Sequence, residues 1–299
     1  MAGAVNPNLF QDPDYVLGSV TNPDPAIRAK AEGHLLACIE IARTLGSTAQ
    51  SLWLADGINY PGQDDLGERR GRMLDSLARV YAALPPEQEY LVEYKLFEPA
   101  FYATDLADWG SALLVCQELG ERASVLVDLG HHAQGTNIEQ IVSLLDGVDR
   151  LGGFHFNDRK YGDDDLIVGS VDPFQLFRIF FELVDIGAIE SGVRLTVDQS
   201  HNDEPKLEAM IQTVMNLQET YAKALLVDRA ALERAQQEGD LLEANRVLVD
   251  AFNSDVRPLC AAVREALGAS ADPVGAFRSS GYRERVAEAR AHGTAAAWI

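Results

Sequence analysis

A chain of 299 residues with 47% hydrophobic content can bury a substantial core, as one large α/β domain or two smaller ones. Its 25 basic residues stand against 46 acidic ones, a formal net charge of -21. That field repels phosphate backbones and anionic lipid and argues against nucleic-acid and membrane partners, while suiting a neutral substrate such as a sugar, and cations. There is no run of about 18 apolar residues to mark a membrane span. Residues 1–8 lack the basic and apolar regions of a secretory signal. Cys38, Cys116 and Cys260 are isolated and sit in helix-like apolar stretches, which reads as buried thiols in a reducing cytoplasm.

In chain order, short apolar runs alternate with long amphipathic stretches. The candidate strands are 3–6, 50–54, 90–94, 124–128, 152–156 and 193–198, and the helical patterns between them cover 25–45, 66–84, 105–119, 138–145 and 173–184. Asp105 fits the N-cap of the third helix and Gly120 its stop. Repeated strand-then-helix units without hairpin signals imply a parallel sheet covered on both faces. About six such units are present, whereas a closed (β/α)8 barrel has eight. The expectation is therefore an incomplete TIM-barrel fold over residues 1–205. A C-terminal helical extension follows over 206–299, packing on the barrel or on a neighbouring subunit.

The chemistry concentrates where strands end. In 153–165 an apolar strand carrying His155 runs straight into a loop with Asp163 and Asp165, the arrangement of a divalent-metal site at a barrel mouth. Asp128 ends another strand and His131 follows at the turn. Glu93 and Lys95 are two apart and project to one face of a buried strand, where a lysine needs a partner or a substrate. Asp198 ends the last strand. Glu93, Asp128, His155 and Asp198 thus lie at the ends of four successive strands, which in a barrel open on one face. His132 reads as a neighbour that orients or packs, Asp164 as solvent-facing, and His34 and His292 as ordinary helical and tail histidines. Trp53 is a core residue or the wall of a sugar pocket.

At these residues the chain resembles the bacterial L-rhamnose isomerases of broad specificity, within the xylose-isomerase-like metal barrels. The matching motifs are Asn6-Pro-Asn, Ser51-Leu-Trp-Leu-Ala-Asp-Gly57, Tyr60-Pro-Gly-Gln63, Glu93-Tyr-Lys95, Val127-Asp-Leu-Gly-His-His132, Gly153-Phe-His-Phe-Asn-Asp158, Lys160-Tyr-Gly-Asp-Asp-Asp165 and Asp198-Gln-Ser200. The resemblance implies one ion held by Glu93, Asp128, His155 and Asp198. It implies a second held by His131, Asp163 and Asp165, with Asp128 bridging. Both would be divalent, manganese by preference, with cobalt, zinc and magnesium compatible with the same donors. It gives catalytic roles to Lys95, Asp198 and His131, and substrate contacts to Trp53, Lys95 and Ser200. The implied reaction is interconversion of L-rhamnose and L-rhamnulose by a cytoplasmic homotetramer.

The family pattern places two further strands ahead of residue 1, one carrying a ring-opening histidine, so an N-terminally shortened enzyme is expected. The alternatives are an impaired barrel that only binds metal or sugar, and a metal-dependent phosphoesterase, against which the negative charge argues.

Overall fold

A computed structural model gives the fold and describes residues 3–97, 103–200 and 203–291. His292 lies outside the described residues. Six strands, β1 (Ala4–Val5), β2 (Ala49–Trp53), β3 (Glu89–Glu93), β4 (Ala123–Asp128), β5 (Leu151–Phe156) and β6 (Arg194–Val197), form one sheet in sequence order. Every neighbouring pair is parallel. The crossovers are α1 (Pro25–Leu45), α2 (Leu66–Ala82), α3 (Trp109–Leu119), α4 (Ile138–Asp146), and α5 (Pro173–Asp185) followed by the short α6 (Ala188–Ser191).

These segments fold as they do for local reasons. The interior strands are almost continuously apolar because both faces are covered, and the alternation sorts what each face meets. Gln50 and Gln88 point outward toward α1: Gln50 Nε2 donates to Gln88, and Gln88 Nε2 to the Ile39 carbonyl at 3.2 Å. The Tyr90 ring likewise faces Tyr81 of α2, with centroids 6.2 Å apart. Inward, Ala49, Leu91 and Leu126 pack into a buried cluster. Part of the chain's acidity is used at helix starts: Asp24, Asp65 and Asp108 each accept a hydrogen bond from the first turn of α1, α2 and α3.

The third helix corrects one expectation. It begins at Trp109, and its cap is Asp108, in a reciprocal capping box with Ser111. Asp105 is unavailable because its carboxylate binds the buried Arg69 guanidinium, Nε lying 2.7 and 2.9 Å from its two oxygens. Gly120 does end the helix, its N–H donating to the Cys116 carbonyl.

The sheet is curled. Three strand spacings would put β3 and β6 about 14 Å apart in a flat sheet, yet Arg194 of β6 forms an ion pair with Glu89 of β3. Gly152 makes the curl possible. Any Cβ there would lie 2.6 Å from Leu91 Cδ2 and 2.7 Å from Ser124 Cβ, and the β4–β5 register slips at this residue, between Val125 and Leu126. The result is a six-stranded parallel half-barrel with helices outside. Residues 1–165 and 182–199 form one compact unit.

The second unit comprises residues 166–181 and 200–299, so it is discontinuous in sequence. It contains α7 (Lys206–Leu225), α8 (Arg229–Glu238), α9 (Leu241–Asn253), α10 (Arg257–Ala266), α11 (Pro273–Ser279) and α12 (Tyr282–Ala291). Asp228, Asp240 and Asp272 cap three of these helices and break the long helical pattern into short rods. Phe174 and Phe177 pack on Phe252, and the buried Glu208 carboxylate takes Arg278 and Arg283. Among the described residues no helix is long and apolar enough to cross a membrane.

Candidate metal centre at the strand ends

Strand parity and the curl together converge the polar strand ends. Glu93 and Lys95 leave β3 on its inner side, Asp128 ends β4, His155 lies near the end of β5, and Asp198 follows β6 directly. Two groups of ligand-type atoms result, each lying within 4.8 Å of one another: Glu93, Asp128, His155 and Asp198 in one, and Asp128, His131 and Asp163 in the other. Asp128 belongs to both. His155 Nδ1 is 3.1 Å from Glu93, 3.7 Å from Asp128 and 3.6 Å from Asp198. His131 Nε2 is 3.4 Å from Asp163 and 3.9 Å from Asp128.

Asp165 joins neither group. Its backbone is left-handed at φ 49°, a conformation that aspartate tolerates better than most residues, and its carboxyl stands in the field of Asp163, Asp128 and Asp198. Lys95 Nζ is 2.8 Å from Asp163 Oδ2 and 5.0 Å from the centre of the Trp53 ring. A cavity of about 350 Å³ opens over this cluster, with Asn6, Asn8, Phe10, Ser51 and Trp53 completing its walls. Ser200 is exposed and belongs to the second unit. Asp164 is half-buried rather than solvent-facing, because its carboxylate accepts from the Lys160 and Tyr161 amides at 2.6 and 2.7 Å and closes the loop that carries Asp163. His34 accepts the Asn8 amide through Nε2 at 3.2 Å, tying α1 to the 6–11 loop.

Three further groups, beyond the candidate ligands, shape the centre. Asn157 donates to Asp128 Oδ1 at 2.9 Å, and the Gly130 amide donates to the same oxygen at 2.7 Å. The Tyr94 carbonyl accepts from His131 Nδ1 at 2.9 Å, which leaves Nε2 facing the carboxylates. Gly130 is also spatially required, since a Cβ there would lie 2.5 Å from Asp163 Oδ1 and 3.3 Å from Asp128 Oδ1. Gly130→Ala is accordingly expected to displace Asp163 and weaken divalent-metal binding by roughly 10- to 100-fold, with little loss of melting temperature. Calorimetric titration with Mn2+ checks this, and wild-type affinity would contradict it.

The charges explain why this cluster suits cations. Burial penalises every ion here, but the carboxylates outweigh it for the imidazoles: Asp128, Asp163 and Glu93 raise His131 to about 10, and Glu93, Asp128 and Asp198 raise His155 to about 9. Burial also opposes ionisation of Glu93, yet His155 and His131 hold it below its ordinary value. Burial raises Asp165 to about 8, reinforced by Asp163, Asp128 and Asp198, and it raises Asp128 to about 6. Asp128 Oδ2 and Asp163 Oδ1 are buried and have no hydrogen-bond partner among the described residues. Carboxylate oxygens left that way, beside imidazoles and with no thiolate, fit hard or borderline divalent ions.

A pH dependence follows. His131 and His155 titrate near 10 and 9 in the metal-free fold against about 6.5 unfolded, so their stabilisation is complete below about 6.5 and lost as pH rises through 9 to 10. Asp165 acts with the same sign, since a carboxyl at about 8 folded and about 3.9 unfolded makes the fold lose stability between those values. The metal-free protein is expected to melt lower at pH 8.5 than at pH 6. Because metal displaces these protons, Mn2+ should raise the melting temperature more at pH 8.5. Scanning calorimetry decides it, and a larger metal shift at pH 6 would contradict the assignment.

A larger cavity of about 820 Å³ lies over residues 10–18 and 55–69. Its carboxylates are already engaged, Asp56 by Ser19 and Thr21, and Asp64 by Arg69 and Arg72.

The half-barrel fold is shared with solved structures of an epimerase and an epimerase-like protein. A D-tagatose 3-epimerase-like protein superposes with a TM-score of 0.56 at 17% identity, over 73% of this chain and 79% of that one. An L-ribulose 3-epimerase superposes at 0.50 and 16% identity, over 75% and 74%. At such identities the likeness is one of fold. No family model matches the sequence. A probable sugar isomerase of Mesorhizobium japonicum is 46% identical over 295 residues, 96% of this chain and 69% of that protein. Another from Rhizobium meliloti is 47% identical over the same shares, and a xylose isomerase of Dinoroseobacter shibae is 26% identical over 62% of this chain and 44% of its own length. The chain belongs to the family of these rhizobial probable sugar isomerases.

Proposed function

We propose that the chain is a divalent-metal-dependent aldose–ketose isomerase, and that L-rhamnose and L-rhamnulose are the sugar pair to test first. The observation that carries this reading is the pair of ligand groups sharing Asp128 beneath a cavity walled by Trp53 and Lys95. Charge supports two ions: the five carboxylates of Glu93, Asp128, Asp163, Asp165 and Asp198 are balanced by Lys95 and two divalent cations. Glu93, Asp128, His155 and Asp198 would hold one, and His131, Asp163 and Asp165 with Asp128 the other, manganese being the first choice. When bound, the ions supply Lewis acidity toward the sugar's oxygens.

The chain's own groups do the rest. The conversion is redox-neutral: the C2 hydroxyl gives up its proton, the C2 hydrogen moves to C1 with its electron pair, and the C1 oxygen takes a proton. Lys95 is a fixed cation for the oxygen on which charge develops, and Asp163 keeps its ammonium in place. The Trp53 ring shields that ammonium and excludes water from one side of the cavity. Asp198 is more than half exposed, at 55% of its side chain, so it is reachable by sugar hydroxyls. The setting this implies is a cytoplasmic homotetramer in sugar catabolism.

The test is ketose formation from L-rhamnose by the Mn2+-loaded protein in D2O. Ketose without carbon-bound deuterium supports the hydride shift, whereas deuterium at C1 points to an enediol route. Failure with L-rhamnose but turnover of another aldose would replace the substrate. Silence with a panel of aldoses would remove the isomerase reading.

A further inference from the structure

Behind His131 lies a polar assembly that the proposed chemistry does not use. Tyr94, the residue between Glu93 and Lys95, holds both halves of the His131-His132 pair. Its carbonyl accepts from His131 Nδ1 at 2.9 Å, and its hydroxyl is hydrogen-bonded to His132 Nε2 at 2.6 Å. The Tyr94 and His132 rings meet edge to face, with centroids 5.3 Å apart. Arg159, just beyond β5, donates to the His132 carbonyl and, at 3.0 Å, to that of Ala133. Tyr94, His131, His132 and Arg159 are all buried.

We propose that Tyr94, His132 and Arg159 form a clamp that positions His131 as a ligand of the second ion. The inference rests on the two-ion reading above. A carbonyl only accepts, so its bond to His131 places the proton on Nδ1 and leaves Nε2 as the donor atom facing Asp163 and Asp128. The histidine sits on a turn, which offers little rigidity of its own. The hydroxyl–imidazole bond and the guanidinium fix that turn to β3 on one side and to the end of β5 on the other. Tyr94, His132 and Arg159 are thus positioning residues that never touch substrate.

The experiment is calorimetric titration of Mn2+ into the full chain and its Tyr94→Phe variant, with kcat and KM measured beside it. Tyr94→Phe is expected to bind one of two ions about 10- to 100-fold more weakly and the other nearly as before. Its kcat should fall while KM holds. In the metal-free protein, the residue-94 carbonyl still accepts from His131 Nδ1, but with the turn loosened the 15N-histidine spectrum should show that proton exchanging faster with water than in the wild type. His132→Gln, which keeps an acceptor near the hydroxyl, should bind the second ion more tightly than His132→Leu. If the wild type binds two ions and Tyr94→Phe matches both affinities, the clamp is wrong and the site stands. If the wild type binds none, the two-ion reading falls, and the clamp with it.

Discussion

Asp128→Asn is expected to lower isomerase activity by at least about 1,000-fold, the loss of roughly 4 kcal/mol of transition-state stabilisation. It should also weaken both metal sites together. Asp128 is the residue common to the two ligand groups. Its Oδ1 is held by Asn157 and the Gly130 amide, and its buried Oδ2 has no such partner among the described residues. An asparagine carbonyl can still accept from Asn157 and Gly130, so the fold should survive. Its amide nitrogen would then face the cation position with a donor where an anion is needed. Unchanged metal stoichiometry, with wild-type turnover, would show that Asp128 is not shared between two ions. Loss of only one ion would restrict it to a single site.

Lys95→Met separates catalysis from metal binding. A preorganised cation aimed at developing negative charge is worth on the order of 100- to 1,000-fold in kcat, and methionine keeps the side chain's length and its packing against Trp53. Removing the ammonium leaves Asp163, 2.8 Å away, without one of its two cationic neighbours. Metal affinity should therefore hold or rise, while kcat falls. Wild-type kinetics in this variant would remove Lys95 from the mechanism. Lost metal would mean that its role is to keep Asp163 in place.

The strand ends carried most of what could be read before the fold was known. A parallel sheet buried on both faces writes itself as short apolar runs, and the first polar residue after each run marks the end that opens on the cavity. Glu93 and Lys95 share a face by parity alone, whereas the curl that brings Glu93 to 3.1 Å from His155 depends on Gly152 and the register slip beside it. Other features depend on groups distant in sequence. Asp105 and Asp108 are equally plausible caps as letters, and only Arg69, folded against Asp105, assigns the cap to Asp108. The Tyr94 contact to His131 is made by a backbone carbonyl, which no side-chain pattern can signal. Gly130 looks like a turn glycine, but its value is the space it leaves for the Asp163 carboxylate. Asn157 did leave a trace, two residues past His155 and thus on the same face, at the polar end of an apolar run.

The most direct test of the account is anomalous scattering from crystals of this chain grown with Mn2+, with data collected at the manganese edge. Two peaks are predicted, one among Glu93, Asp128, His155 and Asp198 and one among Asp128, His131 and Asp163, with the Asp128 carboxylate between them. No peak at these residues, or ions bound only elsewhere, would contradict it.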